Sequence, residues 1–215
     1  MKRTALFVLM SAAFAVAPIA MATAAPPAAT QQLGTPSKLV LDNSTRVLAT
    51  LESRRAEFTK NRTALKQFVS GEFNQMFDRD YAARLVLGAH GRGASNADVS
   101  AFADALSENL MQRYGSSLLD FNTRLTVRIK SETSIANGKA TRVSTQMLRQ
   151  GGEPVPVDYL MHQVNGQWKV FDVLVEGVSF VQTFRSQFDG PLSRASIAQV
   201  AADLKAGKLQ AQAKR

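Results

Sequence analysis

The stretch "WKVFDVLVEGVSFVQTFRSQF", Trp168 to Phe188, sets two carboxylates, Asp172 and Glu176, four residues apart in apolar surroundings. Paired carboxylates can act as general acid and base, or as the two catalytic groups of a glycosidase. On an extended strand these two share a face about 13 Å apart, too far for the closer, retaining kind of pair. Asp172 alone could be a buried base in a cone-shaped pocket. The simpler reading is a carboxylate at a pocket rim or paired with an arginine, because catalytic tuning needs surroundings that residue order does not display.

Other chemistry is sparse. The chain has two histidines, His90 and His162, and no cysteine, so few zinc ligands are on offer and no metal is expected. His162 falls on the polar side of a strand pattern and His90 in the glycine-rich "GAHGRGAS", and both are expected to face solvent. No Gly-x-Ser-x-Gly occurs, and Gly91-Arg92-Gly93 lacks the rest of a phosphate loop. "SRRAEFTKNRTALK" carries Arg54, Arg55, Lys60, Arg62 and Lys66 against Glu57 alone. That pattern fits a solvated helix face, or a docking surface for acidic partners or anionic lipid.

Lys2 and Arg3 precede an uncharged run from Thr4 through Ala20, followed by Ala22-Thr23-Ala24. This predicts a signal peptide over residues 1–24 and export of the mature chain. An exported chain without cysteine has no disulfide framework and must rest on its core. The whole chain carries a net charge of +9, and the balance stays positive once Lys2 and Arg3 are gone. Anionic membrane surfaces and acidic proteins are the natural company for such a protein. Nucleic acid is not, because no aromatic and basic recognition motif is present.

The elements that must position these residues are set by periodicity. Residues 25–37 have Pro, Gly and small polar types without an apolar period, and read as a flexible lead-in. A single domain is expected over 38–210, then a basic tail at 211–215. Val40, Val47, Leu48 and Leu51 fit one helical face, and Leu65, Phe68, Val69, Phe73, Met76 and Phe77 form a second stripe. Ser95 is a natural N-cap for a third helix bearing Val99, Phe102, Leu106, Leu110, Tyr114 and Leu118. The period then drops to 2 at Leu125, Val127 and Ile129. Asn137-Gly138, Gly151-Gly152 and Asn165-Gly166 divide this alternating region into four antiparallel strands ending at Trp168 to Glu176. Helix resumes through Val178 to Phe188, is expected to break at Gly190-Pro191, and returns from Ser193 to Leu209. The fold class is therefore α+β, with N-terminal helices packed on a four-stranded antiparallel twisted sheet and closing C-terminal helices.

At "FDRDYAARLVLG", "YGSSLLDF" and above all Trp168 to Phe188, the sequence resembles the MlaC, or Ttg2D (toluene-tolerance), family of periplasmic phospholipid-binding proteins. The similarity runs from Pro36 to Leu209. One departure is Gly91, near which members often carry an aromatic. The resemblance implies a fold similar to the nuclear-transport-factor-2 group with added helices. It implies a periplasmic, non-enzymatic, monomeric lipid shuttle that uses no cofactor and carries phospholipid as cargo. Its implied partners are an outer-membrane lipoprotein associated with a porin and the inner-membrane lipid-binding ring of an ABC transporter. The pathway so implied maintains outer-membrane lipid asymmetry.

Acyl-chain walls would be drawn from the inward alternations and stripes: Phe73, Phe77, Leu110, Tyr114, Leu118, Val127, Val143, Val157, Tyr159, Val170, Val173, Val175, Val178, Val181 and Phe184. Each could equally be ordinary core, and the argument for a cavity rests on their collective excess. Around Trp168 to Glu176 both strand faces are apolar, so alternation leaves open which face is the wall. An enzyme using Asp172 on an apolar substrate and a chaperone for outer-membrane proteins are the competing readings.

Overall fold

Helix α1 (Pro36–Ser53) begins where Thr35 accepts a hydrogen bond from the Lys38 amide and Pro36 takes the first helical position, where a missing N–H costs nothing. The computed structural model describes residues 35–119, 125–149 and 151–212, without the side chains of Ser116 and Ser117. The expected signal peptide, most of the lead-in and the end of the basic tail lie outside the described residues. The last two residues expected in the lead-in, Pro36 and Ser37, are helical instead, because the Thr-Pro cap starts the helix there.

Helices α2 (Arg55–Lys60), α3 (Arg62–Met76), α4 (Arg79–Leu87) and α5 (Asn96–Tyr114) come next along the chain. Asn61, Asp78 and Ser95 cap the last three, each accepting from the amide three residues on. The sheet consists of β1 (Thr126–Ile135), β2 (Ala140–Leu148), β3 (Val155–Val164), β4 (Gln167–Val175) and a two-residue β5 (Val178–Ser179). All neighbours are antiparallel, in chain order. The four predicted strands are thus present with one short addition. The chain closes with α6 (Phe180–Arg194) and α7 (Ile197–Lys205).

Two turns show why these strands reverse where they do. Asn165 and Gly166 have φ of 51° and 77°, the left-handed pair that joins β3 to β4. Glu176 and Gly177, at 53° and 80°, form a second such pair, which turns β4 back into β5. The predicted break at Gly190-Pro191 does not occur. Pro191 sits in the last turn of α6, where it removes one backbone bond, while Phe188 and Leu192 hold that turn in the core.

Register settles the face that alternation left open. Val143 opposes Tyr159, which opposes Val173; Val157 opposes Val175; Met161 opposes Val170; and Val127 opposes Met147. Directly paired residues project to one side, so the predicted strand valines and Tyr159 share a face. A bulge in β4, where Leu160 pairs with Asp172 but Met161 pairs with Val170, inserts Phe171 as an extra residue. That insertion puts Val170 and Val173 on the same face although three residues separate them.

Three apolar clusters hold the described residues together. One joins α1, Met76 and the sheet through Val40, Val143, Met161 and Val170. Another gathers α1, α2 and α3 around Phe58. The largest joins α4, α5, α6 and α7 around Phe102, Phe184, Phe188 and Leu204. Asn109 of α5 is buried beside it, its amide donating to the Leu204 and Leu209 carbonyls at 2.9 and 3.0 Å while its oxygen accepts from the Ala211 amide at 3.0 Å. This ties the chain beyond α7 back onto α5. Replacing Asn109 with alanine leaves those backbone groups short of partners and should lower stability by about 2–3 kcal/mol, measured by urea unfolding.

Candidate functional site: an apolar cavity between helices and sheet

A cavity of about 230 Å³ opens between α3, α4, α5, β4 and α6. Its walls are Phe73 of α3 and Phe77 just after it, Ala82, Ala83 and Val86 of α4, Ala103, Leu106 and Leu110 of α5, Phe171 and Val173 of β4, and Phe180, Val181 and Phe184 of α6. Phe73 and Phe77 stack with ring centres 4.1 Å apart, one helical turn separating them. Polar lining is limited to Arg79, Ser107 and Asp172. An apolar wall with few polar groups suits a hydrophobic ligand and offers little for bond-making chemistry.

Asp172 is buried, and its carboxylate is fully engaged. One oxygen accepts from the Val173 amide at 2.8 Å and the Val181 amide at 3.1 Å; the other accepts from the Ser179 hydroxyl at 2.6 Å. Ser179 in turn caps α6 by accepting from the Gln182 amide. Asp172 is therefore a structural cap for the first turn of α6, where the helix dipole also favours negative charge. Among the described residues no arginine pairs with it. Glu176 is exposed in the turn after β4.

Of the predicted wall residues, Phe73, Phe77, Leu110, Val173, Val181 and Phe184 line this cavity. Val143 and Val170 are instead fully buried beneath α1, with Tyr159 packed against them. Leu118 joins the Phe58 cluster, and Tyr114 has the Arg113 guanidinium over its ring. Val157 is buried, Val127 and Val175 are half-buried, and none of the three touches the cavity. Val178 is 47% exposed in β5, because the turn at Glu176-Gly177 carries it to the surface. Sequence reasoning missed the contribution of α4. Its signal was legible in Asp78 as a cap followed by Ala83, Val86 and Leu87 at helical spacing.

His162 differs from expectation. His162 is half-buried, bonded to Asp78 at 2.9 Å and enclosed by Tyr81 and Phe171. His90 bonds Asp189 of α6 at 3.0 Å. The basic segment is largely paired: Arg54 makes a two-pronged bond to Glu57, Arg55 binds Glu52, and Lys66 reaches Glu108 at 2.7 Å. Burial pushes the Tyr159 hydroxyl above the usual tyrosine range, against a smaller opposing effect from its hydrogen bond with Ser44 of α1. Among the described residues no acidic and histidine cluster could hold a metal, and no helix is long and apolar enough to cross a membrane.

The fold and cavity define a class: an α+β domain enclosing apolar space between an antiparallel sheet and a layer of helices. Within that class the chain belongs to the MlaC protein family, whose model matches residues 41–206. Toluene tolerance protein ttg2D of Pseudomonas putida is 27% identical over 173 residues, 80% of this chain and 79% of that protein. The intermembrane phospholipid transport system binding protein MlaC of Haemophilus influenzae is 21% identical over 165 residues, 75% of this chain and 77% of that one. A solved structure of a phospholipid-binding protein from Ralstonia solanacearum, in complex with a phospholipid, superposes with a TM-score of 0.70. It is 22% identical, and the match covers 80% of this chain and 97% of that one.

This geometry has two measurable consequences. Asp172→Ala strands the Val181 amide and the Ser179 hydroxyl, and should lower stability by about 2 kcal/mol in denaturant titration. For Tyr159 the folded state holds its proton more tightly than the unfolded chain. Its contribution to stability is complete below about pH 10 and is lost as the pH rises through the higher folded value. Tyr159→Phe should flatten the alkaline fall in stability, tracked by unfolding titrations above and below that pH.

Proposed function

We propose that the protein is a periplasmic phospholipid carrier that seats acyl chains in the cavity between α3, α4, α5, β4 and α6 and moves lipid between the outer and inner membranes. The observation that carries this reading is the cavity wall itself, built from aromatic and aliphatic side chains with three polar exceptions. Membership of the MlaC family and the phospholipid held by the Ralstonia protein support it. Export through a cleaved N-terminal signal, exchange with a lipoprotein–porin complex and with a lipid-binding ring, and a role in lipid asymmetry belong to the same reading.

The energetics explain why a carrier is needed. A diacyl lipid carries on the order of 30 methylenes, and at ~0.8 kcal/mol each their exposure to water amounts to roughly 20 kcal/mol or more. Apolar walls offset most of that without specific hydrogen bonds, and phenylalanine, leucine and valine tolerate differing chains. At about 230 Å³ the cavity lies below the ~300–1,000 Å³ of sites for drug-sized ligands, so seating a diacyl lipid widens the seam between helices and sheet. With Asp172 committed to capping α6, carriage fits the site better than acid–base catalysis.

Native mass spectrometry of the mature protein purified under mild conditions should find bound phospholipid, identified by solvent extraction. Val173→Asp places a charge on the cavity wall and should cut lipid occupancy at least tenfold. Val200→Ala, in the helix core away from the cavity, should lower stability by about 1 kcal/mol and leave occupancy unchanged. A folded Val173→Asp protein with full occupancy would show that the chains lie elsewhere.

A further inference from the structure

The cavity rim carries one cationic side chain, Arg79, at the start of α4. Its Nη1 donates to Asp104 of α5 at 2.7 Å, and the two side chains are 30% and 53% exposed. A guanidinium has five N–H donors, and among the described residues this is the hydrogen bond Arg79 makes. Ser107 lies three residues beyond Asp104 on α5 and lines the same cavity. Its hydroxyl makes no side-chain hydrogen bond among the described residues. A partly exposed cation with spare donors and a half-buried hydroxyl are thus both part of the cavity lining.

An acyl chain seated against Phe73, Leu106 and Leu110 must bring its headgroup out past this rim. The first charged group beyond the glycerol of a phospholipid is its phosphate, whose oxygens match a guanidinium fork two at a time. The Arg79–Asp104 pair is no obstacle, since an exposed ion pair contributes little and exchanges readily. We propose that Arg79 anchors the lipid phosphate, exchanging Asp104 for the phosphodiester once the chains are seated, with the Ser107 hydroxyl as a second donor. Asp104 then acts as a stand-in anion that occupies the guanidinium of the empty carrier and swings toward solvent on loading. This assignment rests on the carrier reading above and adds to it a basis for selecting phospholipid over uncharged diacyl lipid.

The test compares two lipids with identical chains, dioleoyl phosphatidylglycerol and dioleoylglycerol, as competitors for a fluorescent acyl probe on delipidated mature protein. The wild type should prefer the phospholipid about tenfold, the value of one charge-assisted contact. Arg79→Gln should bring that ratio close to one. Arg79→Lys should restore part of the preference, and Asp104→Asn should increase it. A wild-type ratio of one, or a tenfold ratio that survives in a folded Arg79→Gln protein, overturns the assignment and leaves the carrier reading standing. A protein that takes up neither lipid overturns both. Inorganic phosphate alone should not raise the melting temperature; a rise that Arg79→Gln abolishes would make this a free-anion site and overturn the lipid assignment.

Discussion

The carboxylate of Asp172 joins the sheet to the helix that closes the cavity. It leaves β4 beside the bulge at Phe171 and accepts from the amides of Val173 and Val181 and from the Ser179 hydroxyl. A buried carboxylate without such donors would be strongly unfavourable, so the three bonds and the path of the chain require one another. The left-handed pair at Glu176-Gly177 reverses the strand, two residues pair as β5, and α6 starts at once. Phe180, Val181 and Phe184 are thereby held across from Phe73 and Phe77.

A second aspartate does the same for α4. Asp78 caps α4 through the Tyr81 amide and bonds His162 of β3, while its own backbone N–H donates to the Val170 carbonyl of β4. Two of the four helices around the cavity, α4 and α6, are thus anchored to the central strands at their N-terminal ends by a carboxylate. Between these anchors the facing residues include Ala82, Ala83 and Ala103, too small to fill the gap. A void of this size, if dry, forgoes packing on the order of 5 kcal/mol at ~24 cal/mol per Å³. That is a large share of the roughly 5–15 kcal/mol by which a domain is stable. A cavity so placed and so held makes physical sense where a ligand completes the packing.

The long elements were legible because their signals are redundant. Ser95 and the stripe from Val99 to Leu110 agree on α5, and Asn165-Gly166 between two alternating runs leaves little choice but a hairpin. Glu176-Gly177 was harder to read, since glutamate rarely takes a positive φ and β5 has only two residues to announce it. α4 was overlooked because it follows the preceding stripe without Gly or Pro; the chain turns at Phe77-Asp78 through a bond to β4, and the local signal is Asp78 as a cap. Pro191 misled for the converse reason: tertiary packing of Phe188 and Leu192 overrides a proline in a last turn. The cavity was legible as apolar excess but not as a list of positions. One inserted residue, Phe171, resets the phase of β4, and periodicity counted from either end misplaces half the strand.

The distribution of polarity around the cavity bears on how such a protein could both hold and release a lipid. Tight, directional recognition deep in the wall would raise the barrier to transfer into the next site as much as it raised affinity. This wall has almost none of it; its polar groups are a carboxylate committed to capping, and a guanidinium and a hydroxyl at the rim. Attraction along the chains is cumulative and non-directional, so it can be surrendered methylene by methylene as a lipid slides out into another apolar groove. A carrier of this kind cannot set direction by itself, because a binding equilibrium shifts only as far as the difference in affinity between donor and acceptor allows. Direction must be imposed where lipid enters and leaves. Arg79, the cationic side chain of the cavity lining, is partly exposed where it meets Asp104.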